Sequence, residues 1–334
     1  MGKTTTRIWF FDNMKAILIF FVVWGHVLQS NRIPFLYQFI YLFHMPLFAF
    51  CSGYLAKYNP KKILTDMIYP YMTFQMLYVV FDRVYLGKDT AIGFTRPVWI
   101  MWYMLALIAW HLLLPLIEVS IKSNRGIVIT ICTVLAIGVA AGFDRKIGYF
   151  LSVSRIFYFL PFFVIGFCIK NAMSAEKFLN VTSKWYVKCV SGVLTLGILI
   201  GLYFFHDKID AKWLYGAYSY SENKEGYFYT TRMAIYLCTF IISIFVISIM
   251  PRGKIFFSYV GQRCIQVYLL HAFVIRIIEK SKILIGLADR KLIFFLASVL
   301  ISTIIVFIFS LDIWGKMLKP LFSFPFKRAA HEKG

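Results

Sequence analysis

Runs of about twenty apolar residues recur from one end of the chain to the other, and that recurrence limits the possible folds more than any motif does. A helix needs about 17 to 25 predominantly apolar residues to cross a bilayer. About ten segments qualify, near 8–28, 34–56, 64–82, 98–117, 126–143, 155–170, 187–205, 233–250, 256–277 and 291–312. The sixth is short, and the third and ninth carry polar residues. The composition agrees: 60% of the 334 residues are hydrophobic, 19% are aromatic and the mean hydropathy is +0.73, well beyond an ordinary soluble domain. The expected fold is all-α, a polytopic integral-membrane bundle of about ten helices. The first segment has polar residues in its interior and no small-residue cleavage site after a short apolar core, so it reads as a retained helix and not a signal peptide. No Gly/Ser linker, repeat or low-complexity tract interrupts the chain. It reads as one integral domain over 1–334 with a basic tail from about 315.

The formal charge of +21 would suggest nucleic acid in a soluble protein. Here the Lys and Arg residues fall mostly in short connections between apolar segments, which membrane topology explains without a nucleic-acid partner. They divide almost evenly between the two faces. The tail KPLFSFPFKRAAHEKG, Lys61/Lys62 and the basic loop from Lys170 to Lys188 favour both termini in the cytoplasm, where anionic headgroups would hold them. The six cysteines lie in or beside apolar segments without a CxxC pair or disulfide framework, and read as packing residues.

Ionisable groups inside a span are expensive and usually face a site. His26, His44, His111 and His271 fall in predicted spans, and imidazole is the side chain best suited to proton transfer near neutral pH. No i, i+4 His pair or HExxH motif is present, so no metal is expected. Eleven residues separate Lys15 from His26, about three turns and roughly 16 Å along one helix face, so the two line one corridor at two depths. Gly25 beside His26 admits a close neighbour. In FHMPLFAFCSGYL, His44 precedes Pro46, which leaves a carbonyl four residues back unpaired, and Gly53 permits close packing. The Tyr- and Trp-rich connection from His206 to Arg232 suits either a sugar-contacting lid or an interfacial belt.

The segments FFDNMKAILIFFVVWGH, FHMPLFAFCSGYL, PVWIMWYMLALIAW, RIFYFLPFFVIGF and VGQRCIQVYLLHAFVI, in that order, resemble the membrane acyltransferase-3 family. The branch resembled is that of fucose 4-O-acetylase-like and capsular-polysaccharide O-acetyltransferases. The resemblance implies a bacterial plasma-membrane enzyme that moves acetyl from acetyl-CoA, its donor and not a tightly bound cofactor, to a hydroxyl of a surface glycan. It places Lys15 where the family often has Arg, His26 at the essential histidine, and Asp12 at the acidic position before the basic one. Arg155 matches the Arg opening the FLPFF segment and His271 the histidine of YLLH, whereas His111 has no counterpart. On this reading His26 is base or transient acyl carrier. His44, Arg155 and His271 orient the base, polarise the thioester or bind donor, and Lys15 with Arg7 meets the CoA phosphates near Asp12. Fourteen residues, roughly 21 Å, rule out an Asp12–His26 dyad within one continuous helix. The expected partners are acetyl-CoA, a carbohydrate acceptor and membrane lipid. A transporter or flippase of glycan precursors needs a similar polar path and is the alternative; a scaffold would have little use for the intramembrane polar groups.

Overall fold

The computed structural model describes residues 8–28, 33–222, 226–284, 286 and 290–322. The described residues form helices and connections with no strand. In chain order the helices are α1 (Trp9–Val27), α2 (Pro34–Leu55), α3 (Pro60–Ile63), α4 (Tyr69–Val84), α5 (Trp102–Ser120), α6 (Asn124–Ala140), α7 (Val153–Ala172) and α8 (Ala175–Thr182). They continue with α9 (Trp185–Phe205), α10 (Tyr229–Ile249), α11 (Ser258–Gln262), α12 (Cys264–Ser281), α13 (Lys291–Phe309), α14 (Asp312–Met317) and α15 (Lys319–Phe322). The protein is an all-helical, multi-pass membrane protein.

All ten expected segments are helical, but among the described residues seven are long and apolar enough to cross a membrane: α1, α2, α5 with the turn before it, α7 with the turn before it, α9 with the turn after it, α10 and α13. The other three differ for local reasons. The third starts at Pro60, capped by Asn59, and passes through a π-helical turn at Leu64–Ile68 before α4. The fifth, α6, is 17 residues long. The ninth is broken at Arg263 into α11 and α12, and α12 carries Gln266, His271 and Arg276 as buried polar residues. The sixth, expected to be short, spans Phe150–Ala172 with the turn before α7.

The chain divides into two compact units. The first draws on Met1–Cys51, Ser174–His206 and Cys238–Leu311, and the second on Ser52–Met173, Asp207–Leu237 and Asp312–Gly334. In the first unit α1 is the central element: 72% of its most apolar stretch is buried, against 33% for α13 and 17% for α9, whose apolar residues therefore face lipid. Two devices hold α1 in place. At its start, Asn13 is fully buried and donates from Nδ2 to the carbonyls of Pro251 (2.9 Å) and Gly253 (2.8 Å), while Ser258 donates to Asn13 Oδ1 at 2.6 Å. Gly261 of α11 lies so close to the Asp12 carbonyl that any side chain would collide with it. Near its end, Trp24 Nε1 donates to Ser298 of α13 at 2.9 Å, where Ser298 and Ser302 allow close approach.

In the second unit the end of α2 packs on α7, with Gly53 against the Phe163 carbonyl where a Cβ would not fit. Arg232 is the organising cation. Wholly buried, it donates to the Tyr227 hydroxyl (2.9 Å) and to the carbonyls of Gly138 (3.0 Å) and Tyr218 (3.1 Å), and its guanidinium lies over the rings of Tyr158, Tyr220 and Tyr227 at 4.9 to 5.4 Å. Three acceptors around one planar fork, with rings over it, suit Arg and not Lys. Burial pushes the Tyr220 phenol up to about 12, so it stays protonated and donates to the Val139 carbonyl at 2.7 Å. Much of the aromatic connection from His206 to Arg232 is thus tied to α6, α7 and α10 as a folded cap.

Candidate active site

Three helices of the first unit bring three histidines to one place. The His26 ring stacks on that of His271, with centroids 5.5 Å apart and planes 26° off parallel. Tyr41 of α2 stands against both His26 and His44: its hydroxyl is 3.5 Å from His26 Nδ1, and its ring centroid is 4.8 Å from that of His44. Gly25 makes this possible, since a methyl there would sit 3.2 Å from the Tyr41 ring edge. His44 and His271 are 2% and 0% exposed, whereas His26 is part-buried.

The hydrogen bonds decide what these imidazoles present. His44 Nδ1 is 2.7 Å from the Ile40 carbonyl and His271 Nδ1 is 3.0 Å from the Val267 carbonyl. A carbonyl only accepts, so both rings carry their proton on Nδ1, which leaves Nε2 as the basic nitrogen in the neutral form. His271 Nε2 is buried with no hydrogen-bond partner. A buried lone pair of this kind is costly unless a substrate or reaction step uses it.

A second polar layer lies toward the start of α1. Lys15 Nζ pairs with Asp12 Oδ1 at 3.0 Å, one turn apart on the same helix. Lys15 also lies in the neighbourhood of Cys51 of α2 and Cys264 of α12. Cys51 stands seven residues from His44 and Cys264 seven from His271, so each of these helices passes the Lys15 layer and reaches the histidine layer two turns, roughly 10 Å, further on. Lys15 and His26 thus face the same two neighbours at two depths. Asp12 serves Lys15 and not His26. Pro46 lies inside α2 with the backbone satisfied: the Leu42 carbonyl freed by the proline accepts the Thr239 hydroxyl of α10 at 2.8 Å.

A family model described as an acyltransferase domain matches residues 8–314. The chain belongs to the acyltransferase-3 family. No curated protein and no solved structure matches it. The protein is therefore a membrane acyltransferase, and its buried polar groups are to be read with acyl transfer in view.

Of the residues this acyltransferase was expected to use, the structure gathers His26, His44 and His271 in one cluster and Asp12 with Lys15 in another. Arg155 belongs to the second unit, with its guanidinium 5.3 Å from the centroid of the Trp102 ring and 5.5 Å from that of Tyr149. The backbone nearby in sequence is strained: Trp99, Leu151 and Ser152 are left-handed at φ 43°, 50° and 52°, and Leu151 N–H donates to the Thr95 carbonyl at 2.6 Å. Bulky residues adopt this region at a cost of about 1–3 kcal/mol each, a cost that tends to fall at working sites. Arg7 lies outside the described residues, as does most of the basic tail. His111 is buried against Phe163 with its Nδ1 on the Leu107 carbonyl, a packing role. Among the described residues no group of three His, Cys, Asp or Glu has metal-binding geometry.

Sequence reading missed Tyr41, Asn13 and Thr239. Tyr41 lies three residues before His44 on the same helix face, a visible signal. Asn13 carries one too, as an amide buried in an apolar span. Thr239 carries none, since its partner is a carbonyl 197 positions away.

Proposed function

We propose that this acyltransferase moves an acetyl group from acetyl-CoA to a sugar hydroxyl of a cell-surface polysaccharide or its lipid-linked precursor, using the His26–His44–His271 cluster. The observation that carries the reading is the orphaned Nε2 of His271, wholly buried and stacked against the accessible His26. Transfer to a hydroxyl needs a base for its proton, a nearby thioester and donors for the oxyanion. In the direct route the hydroxyl oxygen attacks the acetyl carbonyl as a neutral imidazole of the cluster takes its proton. The tetrahedral intermediate then expels CoA thiolate, which recovers that proton. In the carrier route a His26 nitrogen attacks first and CoA leaves as the thiol. The sugar hydroxyl oxygen then attacks the acetyl carbon and displaces the imidazole, and its proton passes by way of His271 Nε2 to the departing His26 nitrogen. The carrier route separates donor and acceptor steps, which suits substrates that arrive from opposite faces.

In this reading Lys15 attracts CoA phosphates while the pantetheine arm runs along α1 toward His26. Lys15 acts as a point charge, without the bidentate grip of Arg. Arg155 takes part as a cation held beside the Trp102 and Tyr149 rings. The location is a bacterial plasma membrane with both termini cytoplasmic.

The test is the O-acetyl content of the surface glycan, read by proton NMR before and after mild base. Cells lacking the gene are compared with cells complemented by wild type or His26→Ala at matched membrane levels. Acetyl restored by wild type and not by the variant is the expected result. Unchanged acetylation with altered glycan export would overturn the reading in favour of a transporter.

A further inference from the structure

On the first unit, α1, α13 and the turn leading into α11 enclose an apolar groove of about 520 Å³. Its walls are Ala16 and Phe20 of α1, Ile304 and Phe307 of α13, and Phe256 and Val260 at α11. Four of these residues belong to the membrane-spanning helices α1 and α13, so the groove reaches hydrocarbon depth. Ile304, Phe307 and Phe256 are exposed at 47%, 50% and 74%, which leaves the groove open to the surrounding bilayer.

The mouth has a different chemistry. Lys254, two residues before Phe256, is exposed and lies 5.4 Å from the centroid of the Trp9 ring. Arg263 donates to the Tyr259 carbonyl at 3.2 Å and covers the ring of Tyr259, itself a wall residue. Arg252 is held at α8 by Asn180 and the Leu179 carbonyl. The turn that carries Lys254 is held by Asn13 through the Pro251 and Gly253 carbonyls, and Ser258 closes it by accepting from Ile255 N–H at 2.8 Å. Cations and rings at the mouth, hydrocarbon along the walls and a rigid turn between them match a molecule with an anionic head and an apolar tail. Interfacial rings and cations occupy headgroup level in membranes generally.

We propose that this groove is a binding site for one anionic phospholipid of the surrounding bilayer, its acyl chain between α1 and α13 and its phosphate at Lys254 and Arg263. A neutral lipid would gain the same apolar contact and less at the mouth. Preference, and not mere retention, is therefore what identifies the site. Because Ala16 and Phe20 flank the Lys15 turn, an occupied groove also supports α1 at the depth of the polar layer.

The experiment uses the full chain, purified in mild detergent, exposed to equal amounts of phosphatidylglycerol and phosphatidylcholine and analysed by native mass spectrometry. Wild type should retain one phosphatidylglycerol in preference to phosphatidylcholine, by roughly fivefold for each cation engaged. Lys254→Glu, at an exposed position, should erase the preference while phosphatidylcholine still binds. Thr303→Trp, which places a ring in the groove from the lipid side, should remove retention of both. Equal occupancy by the two lipids in wild type would overturn the proposal, as would a preference that survives Lys254→Glu. The wild-type comparison decides the matter even if either variant folds poorly.

Discussion

The Asp12 carboxylate is 6% exposed while its partner Lys15 is 25% exposed, and this asymmetry sets what each substitution should do. Lys15→Ala leaves a buried carboxylate with its cation removed, at a cost of about 3 kcal/mol, the low end for broken buried pairs. Removing both charges in Asp12→Ala/Lys15→Ala should recover part of that loss in a thermal melt. If the double variant is less stable than Lys15→Ala, the charge pair is not what stabilises this turn. The histidines are tested differently, because the role proposed for them is chemical. His271→Gln keeps a polar side chain but loses the basic Nε2. Acetyl transfer should fall by a factor on the order of 10² to 10⁴, the usual worth of a positioned base. The melting temperature should fall little, since Nε2 makes no hydrogen bond and the Gln amide can replace Nδ1–H as a donor to the Val267 carbonyl. A variant that is stable and fully active in a labelled acetyl-CoA assay would remove His271 from the mechanism.

At the level of single helices, α2 shows how a proline can be kept inside a span. Pro46 cannot donate to Leu42, and in hydrocarbon the freed carbonyl has no water to turn to. Thr239 supplies the missing donor from α10. Thr239→Val should therefore cost about 1–3 kcal/mol, the penalty for an unsatisfied buried acceptor. In Pro46→Ala the backbone amide is restored and the Leu42 carbonyl regains its own helix, so Thr239→Val should cost much less there. A double-mutant cycle by chemical denaturation measures the difference. Additive effects would mean that the hydroxyl does not serve the kink. The same accounting explains α11, whose fit against α1 depends on Gly261 having no side chain beside the Asp12 carbonyl.

For the whole molecule, topology is the property that governs where donor and acceptor meet. The basic residues divide too evenly between faces to set orientation by number, which leaves the dense basic runs as the proposed determinant. With both termini cytoplasmic, a green fluorescent protein fused after Gly334 should fluoresce and an alkaline phosphatase in its place should be inactive. The reverse pattern would move the Lys15 layer to the outer face and away from CoA.

The ordered sequence by itself determined that this is a helical membrane protein, because backbone desolvation leaves runs of this length and apolarity little alternative. Its linked motifs also announced the acyltransferase family. It marked His26, His44 and His271 individually, since ionisable groups in apolar spans stand out in any reading. Only the tertiary structure decided that these three meet around Tyr41, that Asp12 is spent on Lys15, and that Arg155 sits beside two rings in the other unit. It also decided that the fifth apolar segment stops at Ala140, that the third winds through a π-helical turn before α4, and that the ninth is broken at Arg263. The reason is that apolarity and helix length are summed along the chain and can be counted there. Which side chains share a hydrogen bond depends on the packing of helices remote in sequence, where a single glycine such as Gly25 or Gly53 sets how closely two backbones approach.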